Sequence, residues 1–238
     1  MPYDWLLFDA DGTLFDYEAA ERAALSRTFS DAGLDFDDEI LSRYQKINGQ
    51  LWRDFEEGKT TPDRIKLDRF AGLLAWLEQR GGTVGTVPVK AFSDRYLAHL
   101  GECTDLIPDA AFVLEKARTS AHLALITNGL STVQRSRLAK SGLADIFEAV
   151  VISEEEGVSK PDPGLFAVAF ERMGCPPKSS VLMIGDSLTS DMRGANRYGI
   201  DACWFNPDGR AVDPDVTVRY EIHSLRELLR LLPQTDDH

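Results

Sequence analysis

Short apolar runs of about strand length recur along the chain, separated by segments of helical period. Trp5–Phe8, Leu123–Thr127, Ala149–Ser153, Val181–Gly185 and Ala202–Phe205 are five such runs. Runs this continuous, without strict alternation, suit strands covered on both faces. Between the later four lie three segments that predict helices: Ser131–Ser141, Pro163–Met173 and Ser190–Tyr198. Pro163 stands where the first turn of a helix tolerates a proline. Strands alternating with helices predict right-handed crossovers and a parallel sheet covered on both sides, an α/β fold.

The first gap breaks this alternation. From about Asp16 to about Cys103 no run reads as a strand. Four helical stretches fill it: Glu18–Ala32, Asp37–Asn48, Thr61–Gln79 and Val87–Leu100, with turns at Asp31-Ala32-Gly33, Glu57-Gly58-Lys59 and Gly81-Gly82. A structureless loop of that length is foreign to a compact domain, so the segment is expected to fold by itself. It enters directly after two carboxylates, Asp9 and Asp11, which favours a lid over them above extra helices laid on the sheet. The expected organisation is a core of residues 1–15 and 104–238 with an all-helical cap at 16–103.

Charge narrows the partners. Of 238 residues, 26 are Lys or Arg and 39 Asp or Glu, a formal net charge of −13. Such a polyanion repels DNA and RNA. A small phosphorylated molecule remains open, because a bound metal and one or two lysines reverse the local potential. No apolar run approaches the ~20 residues of a membrane helix. Met1-Pro2-Tyr3-Asp4 has neither the basic start nor the apolar stretch of a secretory signal. Cys103, Cys175 and Cys203 lack metal-site spacing, so reduced thiols in a cytoplasmic protein are expected. The acidic tail Pro-Gln-Thr-Asp-Asp is expected to fray. Both a monomer and a homodimer remain open.

The chemistry gathers at strand ends. Asp9 and Asp11 sit one residue apart after the first run, and side chains two apart in a strand share a side. Both can therefore reach one volume past the strand's carboxyl end, where open α/β sheets bind ligands. Like charges that close need a cation or a shared proton, and Mg²⁺ is the natural guest. The second run ends in Thr127-Asn128-Gly129, whose hydroxyl, amide and glycine-turn NH groups suit phosphate oxygens. Lys160 follows the third run in Ser159-Lys160-Pro161-Asp162-Pro163, a loop stiffened by prolines. The fourth run ends in Gly185-Asp186, placing Asp186 to complete a metal site, with Asp191 five positions on as a supporting group or a helix cap.

In this order the stations resemble the four signatures of haloacid dehalogenase-like hydrolases: Asp9-x-Asp11-Gly12-Thr13, Thr127-Asn128-Gly129, Lys160-Pro161 and Gly185-Asp186 with Asp191. The resemblance implies a Rossmann-like parallel core with a helical cap inserted after the first motif. It implies Asp9 as the nucleophile forming an aspartyl phosphate, and Asp11 as general acid and base whose backbone carbonyl also binds Mg²⁺. By the same resemblance Thr127, the Asn128 NH and Gly129 bind the phosphoryl oxygens. Lys160 offsets the charge, Asp186 ligates the metal and Asp191 supports it. The presence of Asp11 points to phosphate esters, since dehalogenases of this fold lack an acid two residues on.

The cap segments Tyr44–Asn48, Leu51–Phe55 and Glu57–Thr61 resemble bacterial pyrimidine 5′-nucleotidases of that superfamily, as do Asp4-Trp5, Leu130-Ser131 and Val151–Glu155. Gly12 departs from some of those enzymes, which carry Glu there. That resemblance implies hydrolysis of pyrimidine nucleoside monophosphates such as UMP, dUMP and dTMP. Trp52 and Asn48 are the candidate cap contacts, an aromatic face to stack a base and an amide to read its edge. A phosphatase for a sugar phosphate or phosphoglycolate, a phosphomutase and a silent binding protein stay open as alternatives.

Overall fold

The computed structural model describes residues 3–81 and 87–232. Met1-Pro2, the second glycine of the Gly81-Gly82 turn and the acidic tail lie outside the described residues. Among those described, no helix is long and apolar enough to cross a membrane.

The α/β expectation is met. Six strands form one sheet in the order β3-β2-β1-β4-β5-β6, every pairing parallel. They are β1 (Trp5–Phe8), β2 (His122–Thr127), β3 (Ala149–Ile152), β4 (Val181–Gly185), β5 (Asp201–Phe205) and β6 (Tyr220–Ile222). The sheet is buried on both faces, which is why the runs are continuous. Leu6, Phe8, Leu123, Leu125, Leu182 and Ile184 pack to one side. Leu7, Ala124, Ile126, Val181 and Met183 pack to the other. β6 escapes the sequence reading because it is three residues long with only Ile222 fully buried.

The long segment after β1 forms α1 (Tyr17–Asp31), α2 (Asp38–Glu56), α3 (Pro62–Gln79) and α4 (Val89–Glu102). Side-chain oxygens start three of them: Asp16 accepts from the Ala19 NH at 3.0 Å, Asp37 from Ile40 at 2.8 Å and Thr61 from Arg64 at 3.4 Å. These helices bury their own cluster, including Ala24, Phe29, Tyr44, Phe70, Phe92 and Tyr96, which also takes in Leu130 and Val133 from beyond β2. α2 runs eight residues past the expected end at Asn48, straight through Gly49.

Among the described residues the remaining α-helices are α5 (Ala110–Ala117), α6 (Ser131–Lys140), α7 (Ser153–Glu156), α8 (Pro163–Arg172) and α9 (Arg193–Tyr198). The helix expected from Ser190 is entered through a π-turn at Leu188–Met192, and the α-helix proper begins at Arg193. Such turns are frequent at functional sites, and this one carries Asp191. β1 lies between β2 and β4, so the chain progresses outward in both directions from it. The crevice past the carboxyl ends of these strands is where such sheets bind ligands.

Candidate active site

Asp9, Thr127, Lys160, Asp186 and Asp191 meet in that crevice. They line a cavity of about 340 Å³ together with Asp11, Asn128, Gly129, Tyr17, Trp52 and Glu56. The register explains the convergence. Phe8 pairs with Leu125 on one side and Ile184 on the other, and the Asp9 NH donates to the Ile184 carbonyl at 2.9 Å. Asp9 therefore leaves the sheet level with the ends of β2 and β4.

Lys160 is the hub, with 1% of its surface exposed. Its ammonium donates to Asp9 Oδ1 at 2.5 Å, to Asp191 Oδ1 at 2.7 Å and to the Ile126 carbonyl at 2.9 Å, which uses all three protons. Burial opposes its charge, yet Asp191 and Asp9 outweigh burial and hold the lysine above its usual range. It is a fixed cation.

The Asn128 amide serves this lysine. Its Nδ2 donates to the Lys160 carbonyl and its Oδ1 accepts the Lys160 NH, both at 2.8 Å. The side chain thus clamps the lysine loop, leaving its main chain and the neighbouring turn to face the cavity. Thr127 Oγ1 accepts the Gly129 NH at 3.1 Å, so its hydroxyl proton remains free to donate.

One carboxylate each from Asp9, Asp186 and Asp191 offers an oxygen within 4.8 Å of the other two. Both Asp191 oxygens are committed, one to Lys160 and one to the Ser187 NH at 3.1 Å. The Asp186 carboxylate is nearly bare, reached by the Thr13 hydroxyl at 3.5 Å. Burial above all, then the Asp191 charge, lifts Asp186 to about 7 against the pull of Arg210 and Lys160. Burial also raises Asp9 well above the carboxylate range, with Lys160 opposing and Asp191 and Asp186 adding to the rise. Once ionised, three carboxyl groups facing one committed ammonium would carry more negative charge than the site neutralises. All-oxygen donors with surplus negative charge suit a hard divalent cation such as Mg²⁺.

Two glycines make room for this packing. A Cβ at position 185 would fall 2.3 Å from Asp191 Oδ2, and one at position 129 would fall 2.2 Å from Gln134 Nε2. Gly12, the departure noted in the sequence, has a φ of 80° beside the Asp186 carboxylate.

Asp11 stands apart from the carboxylate cluster. Arg137 Nη1 binds its Oδ1, and Gln134 Nε2 donates to its Oδ2 at 2.5 Å. Neither partner was singled out in the sequence. Trp52 lines the cavity as expected of a cap contact, edge-on to Phe55 with ring centroids 5.7 Å apart. Asn48 does not line it. That side chain is buried behind the wall, donating to the Tyr17 hydroxyl and to Glu21, both at 3.3 Å. Tyr17 and Glu56 take the place expected of Asn48 at the cavity. A second cleft of about 710 Å³ adjoins at Glu56, between the α2–α3 turn and the loop around Pro161.

Residues 3–199 match the family model for haloacid dehalogenase-like hydrolases. The pyrimidine 5′-nucleotidase YjjG of Escherichia coli is 35% identical over 232 residues, covering 98% of this chain and 99% of that protein. The pyrimidine 5′-nucleotidase PynA of Streptococcus pneumoniae is 32% identical over 234 residues, covering 98% and 96%. The crystal structure of the HAD-hydrolase YfnB of Bacillus subtilis, bound to magnesium, superposes with a TM-score of 0.89 at 36% identity, covering 98% of this chain and 99% of that one.

Proposed function

The chain belongs to the haloacid dehalogenase-like hydrolases, and from that premise we propose that it is a Mg²⁺-dependent 5′-nucleotidase acting on pyrimidine nucleoside monophosphates such as UMP, dUMP and dTMP. The observation that carries the chemistry is the Asp9 carboxylate, one oxygen of which is fixed by Lys160, at the wall of a carboxylate-lined cavity. The full-length similarity to two pyrimidine 5′-nucleotidases supports the substrate class.

In this reading residues 16–103 form a cap over a core of 1–15 and 104–238. Asp9 and Asp186 would hold Mg²⁺ with the Asp11 main-chain carbonyl, and Asp191 would fix Lys160 and the Ser187 turn beside them. When bound, the cation offsets the charge that accumulates as a carboxylate meets a phosphate dianion.

Lys160 holds Asp9 with one oxygen turned toward phosphorus. Asp9 attacks in line, the bond to the nucleoside 5′-oxygen breaks, and an aspartyl phosphate forms on Asp9. Asp11 gives a proton to the departing oxygen and then takes one from the water that hydrolyses the acyl phosphate, restoring Asp9 and releasing phosphate. The Thr127 hydroxyl and the NH groups of Asn128 and Gly129 hold the phosphoryl oxygens. Tyr17 and Trp52 form the cap side of the cavity, where the Trp52 face stacks the base. A cavity of this size suits one small ligand, and the chain's charge disfavours polymeric nucleic acid.

The test is a panel of phosphate esters with Mg²⁺: UMP, dUMP, dTMP, purine nucleotides, sugar phosphates, phosphoglycolate and p-nitrophenyl phosphate. Preferential phosphate release from the pyrimidine nucleotides is expected. Turnover of UMP and dTMP no faster than of a generic ester would remove the nucleotidase assignment.

A further inference from the structure

Beneath the acid–base carboxylate lies a buried pair of donors that the reaction above does not use. We infer that Gln134 and Arg137 are positioning residues that aim Asp11, with Arg137 tying it to the segment by which the helical layer rejoins the sheet. The inference rests on the proposed role of Asp11 as general acid and base.

Both residues lie on α6, Gln134 with 1% and Arg137 with 0% of their surface exposed. A guanidinium wholly withdrawn from water needs an anion and acceptors to offset its desolvation. Arg137 finds them on two sides. Its Nη1 donates to Asp11 Oδ1 and its Nε to the Cys103 carbonyl at 2.9 Å, and its plane lies 4.2 Å over the Phe15 ring. Phe15 stands just before α1 and Cys103 just after α4, so one side chain touches both ends of the inserted helices and the Asp11 carboxylate as well.

Gln134 completes the grip from the same helix. Its Nε2 donates to Asp11 Oδ2, while its Oε1 has no partner. Flipping this amide would set two acceptors 2.5 Å apart, so the orientation is dictated by Asp11. The backbone is shaped to admit it, because the Gln134 amide occupies the space a side chain at position 129 would fill. One donor on each oxygen fixes the plane of the carboxylate and leaves a lone pair on each for the cavity, which Asp11 lines. A proton donor displaced by about 1 Å costs on the order of a hundredfold in rate, so such a grip is consequential.

The experiment compares leaving groups. The ratio kcat/KM reports all steps through departure of the leaving group. An alkoxide needs the Asp11 proton to depart, whereas p-nitrophenolate does not. Gln134→Met keeps the bulk and removes the donor. Its kcat/KM for the alkyl phosphate that the wild type hydrolyses best should fall by roughly tenfold or more relative to p-nitrophenyl phosphate. Arg137→Lys should shift the ratio the same way. If Arg137→Lys fails to fold, Gln134→Met alone decides. Equal losses on both esters, or none, would overturn the positioning role. Wild-type protein that hydrolyses no ester with Mg²⁺ would overturn the phosphatase reading together with this inference. That failure shows before any substitution is made. Wild-type preference for a non-nucleotide alkyl phosphate would overturn only the substrate assignment, and the same comparison of leaving groups would still decide the grip.

Discussion

Replacing Asp186 by Asn should make the metal-free protein more stable at pH 8, the reverse of what loss of a buried structural carboxylate does. The Asp186 carboxyl is lifted from 3.8 to about 7, first by burial and then by Asp191. A group whose folded pKa lies above its unfolded value favours folding while protonated. That contribution is complete below 3.8 and is lost as pH rises through about 7. A rise of that size corresponds to at most about 4 kcal/mol, and partial exposure to the cavity reduces it to roughly 2 kcal/mol. The substitution removes little else. Trp204 Nε1 and Arg210 Nη2 bind the main-chain carbonyl of Asp186 at 2.9 and 2.8 Å, and Asn keeps that carbonyl. Urea unfolding in EDTA measures the effect. Asp186→Asn should exceed wild type by about 2 kcal/mol at pH 8, and the gap should close near pH 4. Mg²⁺ at a hundredfold excess over its dissociation constant should add about 2.7 kcal/mol to wild type and nothing to the variant. A variant less stable than wild type at pH 8 in EDTA, or one that gains the full Mg²⁺ increment, would refute the reasoning.

Lys160→Met leaves Asp9 and Asp191 buried without their cation, so stability at pH 8 should fall by about 3–5 kcal/mol and kcat by about a hundredfold or more. The stability deficit should shrink toward acid pH, where the raised Asp9 carboxyl takes up its proton; urea unfolding at two pH values and phosphate release check both effects. Trp52→Ala should raise KM for UMP by about tenfold with kcat little changed, from loss of one stacking face, while p-nitrophenyl phosphate kinetics stay near wild type. Steady-state kinetics on the two substrates decide it.

The parts of the site that the sequence makes legible are those fixed by backbone position. Asp9, Thr127 and Asp186 lie at or just past the ends of strands whose apolar runs are visible, and parallel register brings strand ends together. What depends on long-range partners is not legible. Gln134 and Arg137 sit in a basic stretch that looks like a solvated helix face, and only Asp11, over 120 positions away, makes them buried. Asn48 and Tyr17 show the same limit. Both are polar residues on α1 and α2, and which one meets the cavity depends on how α2 packs on α1. Gly49 suggests an end to α2, yet the helix continues because Tyr44 and Ile47 are anchored in the cluster shared with α3 and α4.

The covalent step tests the central claim most directly. Protein quenched in acid during turnover of UMP with Mg²⁺, then reduced with borohydride and mapped by mass spectrometry, should carry homoserine at position 9, the product of reducing an acyl phosphate there. Asp9→Asn should give neither the label nor released phosphate while keeping its fold. Rapid turnover with position 9 unmodified, or the label on another residue, would contradict it.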